Sequence, residues 1–380
     1  MFTGQDYIFD LAKMATGGRE LQPFVDASAE LYNKLETDGF PFAPHMQMDL
    51  TFQQVSRVYG INAMATVVDI DSDGTPITSV GEVLQTGKIP RMKKWAAFDE
   101  EDFRALAIKQ LVYKDRQSLA QDILFGYNKK LIDAITNSLT YFRHQMVSTH
   151  SLTLTENNNN GGINGAIFSA SVPDSNTVTL NGGKVWWTGA GAEGASSDPI
   201  ADLKALVTLA KAKNKAYHFE VDELTLEKTL NHSKVITKIG YTVNTSLVVD
   251  DATALALGNN LFEDERKLRL ERLLGVKIKA IDSVSVVDAY NPSTKKVEGT
   301  EMRSFDPNTW ALVPDGKIGE IIAATPIAVG NPEYFATYYD GRLLLTNSFD
   351  ERKKIQRTDA EMTALVVPQV PDKMYRLKFM

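Results

Sequence analysis

The sequence predicts an α+β protein, and three observations carry that prediction. Apolar residues recur every three or four positions from Asp115 to about His150, at Leu119, Ile123, Tyr127, Leu131, Ile135, Leu139, Phe142 and Met146. That spacing puts one stripe on one long helix, up to ~50 Å at 1.5 Å per residue. Beyond it, helical and strand-like segments alternate without the regular strand–helix–strand rhythm of a doubly wound sheet. The chain then closes on a run of strand-like segments, "TWALVPDGKIGEIIAATP", "RLLLTNSF", "TALVVPQVP" and "KMYRLKF".

Size and composition narrow the function classes. A chain of 380 residues exceeds one ordinary core, so roughly two to three domains are expected. Hydrophobic and charged contents of 43% and 23% are those of a chain that folds along most of its length. No apolar run reaches the ~18 residues of a membrane span, and the N-terminus lacks the basic-then-apolar pattern of a signal peptide. With no cysteine, disulfides, thiolate metal sites and thiol catalysis are excluded. A formal charge of −7 argues against wrapping nucleic acid by counterion release, although not against bordering it.

In chain order, residues 1–61 hold a short amphipathic helix near Pro23–Glu36 and then "DGFPFAPHMQ", kept extended by Pro and Gly. They supply no core of their own and read as an arm lying on something else. Residues 62–98 are strand-like: "MATVVDI", a DSDG turn, "TPITSV" and "RMKKWAAF", with Pro76 and Pro90 confining them to edges. "DEEDFRALAIKQL" opens a helix with an acidic first turn. After the long helix, "SLTLTENNNNGGINGA" reads as a surface loop, and residues 163–190 as strands with turns (AIFSASV, NTVTLNGGKVWWT). Asp198–Lys213 is a helix with Pro in its first turn. "DELTLEKTLN", "SLVV", "NLFEDERKLRLERLLG" and "VKIKAIDSVSVVDAY" follow as alternating helices and strands.

Each chemical motif has a structural competitor. Asp69, Asp71, Asp73 and Gly74 mimic the start of a calcium loop, but the twelfth position is Val80 and the flanks are β-branched. A hairpin tip explains the aspartates better. "GAGAEG" (189–194) matches a dinucleotide fingerprint, yet no acidic residue follows about 20 positions on, and "SSDP" separates it from the next helix. A Gly/Ala loop is favoured. The five histidines form no metal-binding spacing, and no G-x-S-x-G elbow accompanies any serine. "RMKKW" (91–95) reads as a charged edge strand or a subunit contact. No catalytic, cofactor or metal set is read from the sequence.

The order of these segments resembles the major capsid proteins of tailed bacteriophages, the Hong Kong 97-like fold, and more narrowly the lambda-type major capsid protein E family. The resembling stretches are "GKIPRMKKWAAFDEEDFRALA" (87–107), "DPIADLKAL" (198–206), "VPDGKIGEIIAATP" (313–326) and "NPEYFATYYD" (331–340). Residues 157–193 do not align and read as an insertion. The resemblance implies an N-arm (1–61), an extended hairpin or E-loop (62–98), a peripheral P-domain with a spine helix (99–197 and 331–380) and an axial A-domain (198–330). It implies a shell of hexamers and pentamers enclosing double-stranded DNA, with a scaffolding protein, a portal and decoration proteins as partners. The virion is then the destination and the host cytoplasm the place of assembly.

A two-stranded hairpin is marginal alone in water. This one carries Met64, Val68, Ile70, Ile77 and Val80, which are expected to bury themselves on a neighbouring copy, with Arg91, Lys93 and Lys94 as further contacts to that copy. Burial of five such side chains is worth roughly 7–15 kcal/mol before ordering costs. Lys88, Lys93 and Lys94 read as surface lysines rather than crosslinking groups. The competing readings are a soluble α/β enzyme binding a nucleotide at "GAGAEG" and an encapsulin-like compartment of the same fold.

Overall fold

A computed structural model of the chain describes residues 39–58, 81–98, 104, 116–159, 162–187, 192–194, 196–212, 216–243, 250–291, 296–327, 335–338, 340–350 and 355–379. In chain order its elements begin with β1 (Thr51–Val58), β2 (Gly81–Lys88), β3 (Arg91–Phe98) and helix α1 (Arg116–Thr149). Next come β4 (Ser151–Leu154), β5 (Gly165–Ser169), β6 (Thr177–Leu180), α2 (Pro199–Lys211), β7 (Tyr217–Asp222) and α3 (Glu223–Leu230). Then follow α4 (Ser233–Gly240), α5 (Asp251–Asn259), α6 (Glu263–Leu274), β8 (Lys277–Ile281), β9 (Val284–Asn291) and β10 (Lys296–Arg303). The chain closes with β11 (Thr309–Pro314), β12 (Gly319–Ala324), β13 (Phe335–Tyr338), β14 (Leu343–Asp350), β15 (Ile355–Pro368) and β16 (Tyr375–Phe379).

These elements fall into two compact units. The first lies within Met1–Phe52, Lys88–Thr140 and Ile321–Val366. Its sheet runs β12-β15-β14-β13, with β3 also paired to β15. Fourteen residues long, β15 has room for three partners. It alternates buried Ala360, Met362 and Ala364 with polar Asp359, Glu361 and Thr363, although its C-terminal end is buried throughout. The extended segment after Phe40 lies parallel beside β12, with Ala43 N–H donating to Ile321 O (2.9 Å) and Gln47 N–H to Ala323 O (2.9 Å). Pro41 and Pro44 lack the donor a central strand needs, so this segment serves as an edge. Arg342 fastens it, donating to Ala43 O (2.7 Å) and stacking its guanidinium over the Phe42 ring at 5.1 Å.

The second unit lies within Gln53–Gly87, Tyr141–Glu320 and Val367–Met380. Its sheet is ordered β6-β16-β11-β7-β8, with β16/β6 and β7/β8 parallel and β11 antiparallel to both neighbours. The pairing registers sort the side chains into two faces. On one face Phe219, Val221, Trp310, Leu312, Leu377, Phe379 and Ile278 join the core built with α2, α3, α4 and α6. Trp186 is the hub of that core, with its ring 4.6 Å from Phe379 and 6.1 Å from Trp310. On the other face stand His218, Glu220, Ala311, Val313, Arg376 and Thr177. That polar face receives the last turns of α1, from Tyr141 onward.

Local chemistry explains the helix ends. Asp198 caps α2 by accepting from Ala201 N–H (3.1 Å), and Pro199 occupies the first helical position. Gly275, at φ 71°, stops α6 in the left-handed conformation that suits glycine. Helices α4 and α5 approach so closely that a Cβ on Gly240 would fall on the Ala254 carbonyl, and one on Gly258 on the Ile236 carbonyl.

The long helix, the Pro-started helix, "DELTLEKTLN", "NLFEDERKLRLERLLG" and the C-terminal strands occur where the sequence predicts them. One expectation is corrected: "SLTL" is strand β4 paired with β5, not loop, because Leu152 and Leu154 are buried and the Asn run begins only after them. The expected helix at 23–36, "MATVVDI", "TPITSV", "SLVV" and all of "DEEDFRALAIKQL" except Arg104 lie outside the described residues.

Candidate functional site

Strands β1 and β2 pair with one another as a two-stranded sheet. Ile89 N–H donates to Leu50 O (2.8 Å), each one residue outside its strand. In β2, Gln85 is buried while its neighbour Leu84 is 57% exposed. Met64, Val68, Ile70, Ile77 and Val80 lie outside the described residues.

Strand β3 carries the remaining predicted contact residues. It is antiparallel to β15, with Arg91 opposite Thr363, Lys93 opposite Glu361 and Trp95 opposite Asp359. Diagonal neighbours on one face of such a pair are within reach of long side chains. Arg91 accordingly pairs with Glu361, and Lys93 with Asp359 at 3.4 Å. Arg357 adds a 2.7 Å ion pair to Asp359 and stacks over Trp95 at 4.7 Å. The result is a ladder of alternating charge with a half-exposed tryptophan in it. Lys94 points to the opposite face and is half-buried.

The polar face of the second unit's sheet holds a group that sequence reasoning missed. Arg143, from α1, forks onto Glu220 of β7, with Nη1 2.6 Å from Oε2 and Nη2 on Oε1, both side chains out of water. Burial raises the Glu220 carboxyl, but Arg143 and His218 outweigh it and hold it at about 2. His144 Nδ1 lies 2.7 Å from Ser304 Oγ, and burial lowers its pKa to about 4. The alternation in "HFEV" (218–221) carries the signal for a two-faced strand. The identity of what covers the polar face, 77 residues away, is not in it.

A serine and a histidine also meet. Ser197 Oγ is 3.0 Å from His232 Nε2, and Glu193 is 3.9 Å from the same nitrogen. Hydrogen-bond direction excludes nucleophile activation. His232 Nδ1 accepts from Lys234 N–H (3.3 Å), so Nε2 carries the proton and donates to Ser197. Ser197 in turn donates to Gly194 O (2.7 Å). A serine whose proton is committed to a carbonyl, next to a histidine acting as donor, is a structural chain. Glu193 caps α4 through Ser233 N–H (2.6 Å).

Gly194, the last glycine of "GAGAEG", is explained here too. A Cβ there would fall on the Val185 carbonyl, and the Gly194 amide donates to Trp186 O (3.2 Å). Gly189 and Gly191 lie outside the described residues.

An open cleft of about 750 Å³ lies along β8, lined by His218, Lys267, Glu271, Lys277, Lys279 and Asp315 among others. Among the described residues no cluster of three or more acidic, His or Cys side chains could hold a metal ion, and no helix is long and apolar enough to cross a membrane.

No protein-family model and no curated protein matches this sequence. The solved structures similar to it include capsid proteins of phages and prophages. One is a candidate capsid protein of a prophage from Escherichia coli CFT073, at 13% identity over 89% of this chain and 86% of that one, TM-score 0.47. Another is a phage-related protein from Bordetella bronchiseptica RB50, at 13% identity over 97% and 95%, TM-score 0.46. A third is the capsid of the cyanophage P-SCSP1u, at 10% identity over 92% and 88%, TM-score 0.46.

Proposed function

We propose that this chain is the major capsid protein of a tailed bacteriophage, assembling as hexamers and pentamers into an icosahedral shell around packaged double-stranded DNA. The observation that carries the reading is the ribbon β1–β2. Its two strands pair with each other and bracket residues 59–80, a segment rich in Met64, Val68, Ile70, Ile77 and Val80. A two-stranded ribbon is marginal in water without a surface to lie on, and an adjoining copy supplies one. In this reading 1–61, ending in β1, is the N-arm, 62–98 with β2 and β3 is the E-loop, α1 is the spine helix, 198–330 is the A-domain, and 99–197 with 331–380 is the P-domain. The order of these parts along the chain and the sequence resemblance support it.

Arg91, Lys93 and Lys94 are then proposed contacts at the ribbon's foot. Arg91 and Lys93 are rigid ones, because each is already held by a carboxylate of its own chain. The protein works by geometry rather than chemistry, with a scaffolding protein, a portal and decoration proteins as its partners. Its place is the virion, reached after assembly in the host cytoplasm. Gel filtration and negative-stain microscopy of the purified protein test this. Capsomers or closed shells of megadalton size are expected, and a small discrete oligomer would overturn the proposal. Packaged DNA, rather than a protein cargo, separates a phage head from an enzyme-filled compartment.

A further inference from the structure

His218 has a carboxylate at each ring nitrogen. Nδ1 lies 2.6 Å from Asp315 Oδ1, and Nε2 lies 3.3 Å from Glu220 Oε1. A neutral imidazole has one N–H, so it satisfies one carboxylate and turns a lone pair toward the other. Only the imidazolium donates to both. The two carboxylates differ in freedom. Glu220 is fully buried and gripped by both terminal nitrogens of Arg143. Asp315 is 54% exposed and sits in the turn between β11 and β12, just before Gly316 at φ 90°. When His218 loses its proton one carboxylate loses its donor; Glu220 stays held by Arg143, so Asp315 is the group free to move.

We propose that His218 is a pH-sensitive latch on the turn at 314–317: charged, it ties Asp315 down at the cleft along β8, and neutral, it lets that turn go.

On its own strand His218 faces Glu220, and from the β11–β12 turn it faces Asp315. Arg143 and His144 of α1 stand behind Glu220. Lys277 of β8 is its partner in register, and Lys279 is that of Glu220. Lys267 and Glu271 of α6 line the same cleft, Glu271 accepting from Ile278 N–H (2.8 Å). Burial favours the neutral ring. The hydrogen bonds and charges of Glu220 and Asp315 outweigh it, so the histidine titrates above its ordinary 6.5. The latch lies within one copy of the chain and is independent of its assembly.

The Asp315 amide, which donates to Ala216 O (3.2 Å), is the reporter. Hydrogen exchange at residues 315–318 is to be followed from pH 6 to 8.5 in the full chain and corrected for the intrinsic pH dependence. The titration of His218 is to be read in parallel by NMR. Expected is a rise in exchange of about threefold or more, with a midpoint matching that of His218 above 6.5. In Asp315→Asn, an exposed and conservative change, the step should vanish and the histidine midpoint should fall by roughly half a unit or more. A flat profile in the wild type, an unchanged step in Asp315→Asn, or a His218 midpoint below 6.5 would each overturn the latch.

Discussion

Arg143 and Glu220 form a forked ion pair with 3% and 0% of their side chains exposed, joining the end of α1 to strand β7 of the second unit's sheet. Breaking such a pair strands one buried charge, which costs about 3–5 kcal/mol, whereas replacing both partners with apolar groups is often close to neutral. Arg143→Met is therefore expected to lower the urea midpoint sharply, and Arg143→Met with Glu220→Leu to recover most of the loss. Equal losses in the single and double variants would mean that the pair is not the fastening of α1.

Acid should destabilise the fold through its buried histidines. Burial holds His144 at about 4 and His150 at about 3, both below the ordinary 6.5. The unfolded chain therefore takes up protons that the folded chain refuses. Their stabilisation is whole above ~6.5 and is lost as pH falls toward those values. His218 has the opposite sign: its contribution is whole below ~6.5 and is lost as pH rises through its elevated folded value. His150 also sits at φ 60° just past α1, a conformation that asparagine tolerates. His150→Asn is expected to flatten the acid limb of stability against pH, measured by urea unfolding between pH 4 and 8. An unchanged slope would remove His150 from the account.

The glycines of α4 and α5 should not tolerate a methyl group. Gly240→Ala and Gly258→Ala drive a Cβ into backbone carbonyls and are expected to cost about 2 kcal/mol or more. Gly126→Ala in α1 meets nothing within 4 Å and should stabilise by about 0.5–1 kcal/mol through helix propensity. Thermal melts of the three variants decide it, and similar shifts for all would contradict the close approach.

Ser197 is expected to behave as a structural hydroxyl. Ser197→Ala frees the buried His232 N–H of its acceptor and should cost about 1–3 kcal/mol. A fluorophosphonate probe is expected to leave the wild-type serine unmodified, and stoichiometric labelling at Ser197 would reverse the assignment.

What the sequence made legible depended on how locally each feature is encoded. The stripe from Leu131 through Met146 is a property of one helix and is buried as read. Likewise Pro199 and the Asp198 cap mark the start of α2 within a few residues. Helices α4 and α5 escaped notice. Each is under ten residues long, and Gly240 and Gly258, poor helix formers, are the points where their backbones touch. Strand β4 was hidden by the Asn run behind it. The Arg143–Glu220–His218–Asp315 group was illegible because its members come from three separate segments and meet only when α1 crosses the sheet. In "RMKKW" a charged edge strand was legible, but the carboxylates that hold Arg91 and Lys93 arrive from β15, some 270 residues later.

Under the proposed function, residues 59–80, between β1 and β2, grip another copy of the chain. Sedimentation velocity of the full chain beside a variant lacking residues 71–80 tests it most directly, with circular dichroism to verify folding. A folded, monomeric deletion variant beside wild-type capsomers or shells is the expected result. Intact shells from the deletion variant would contradict it.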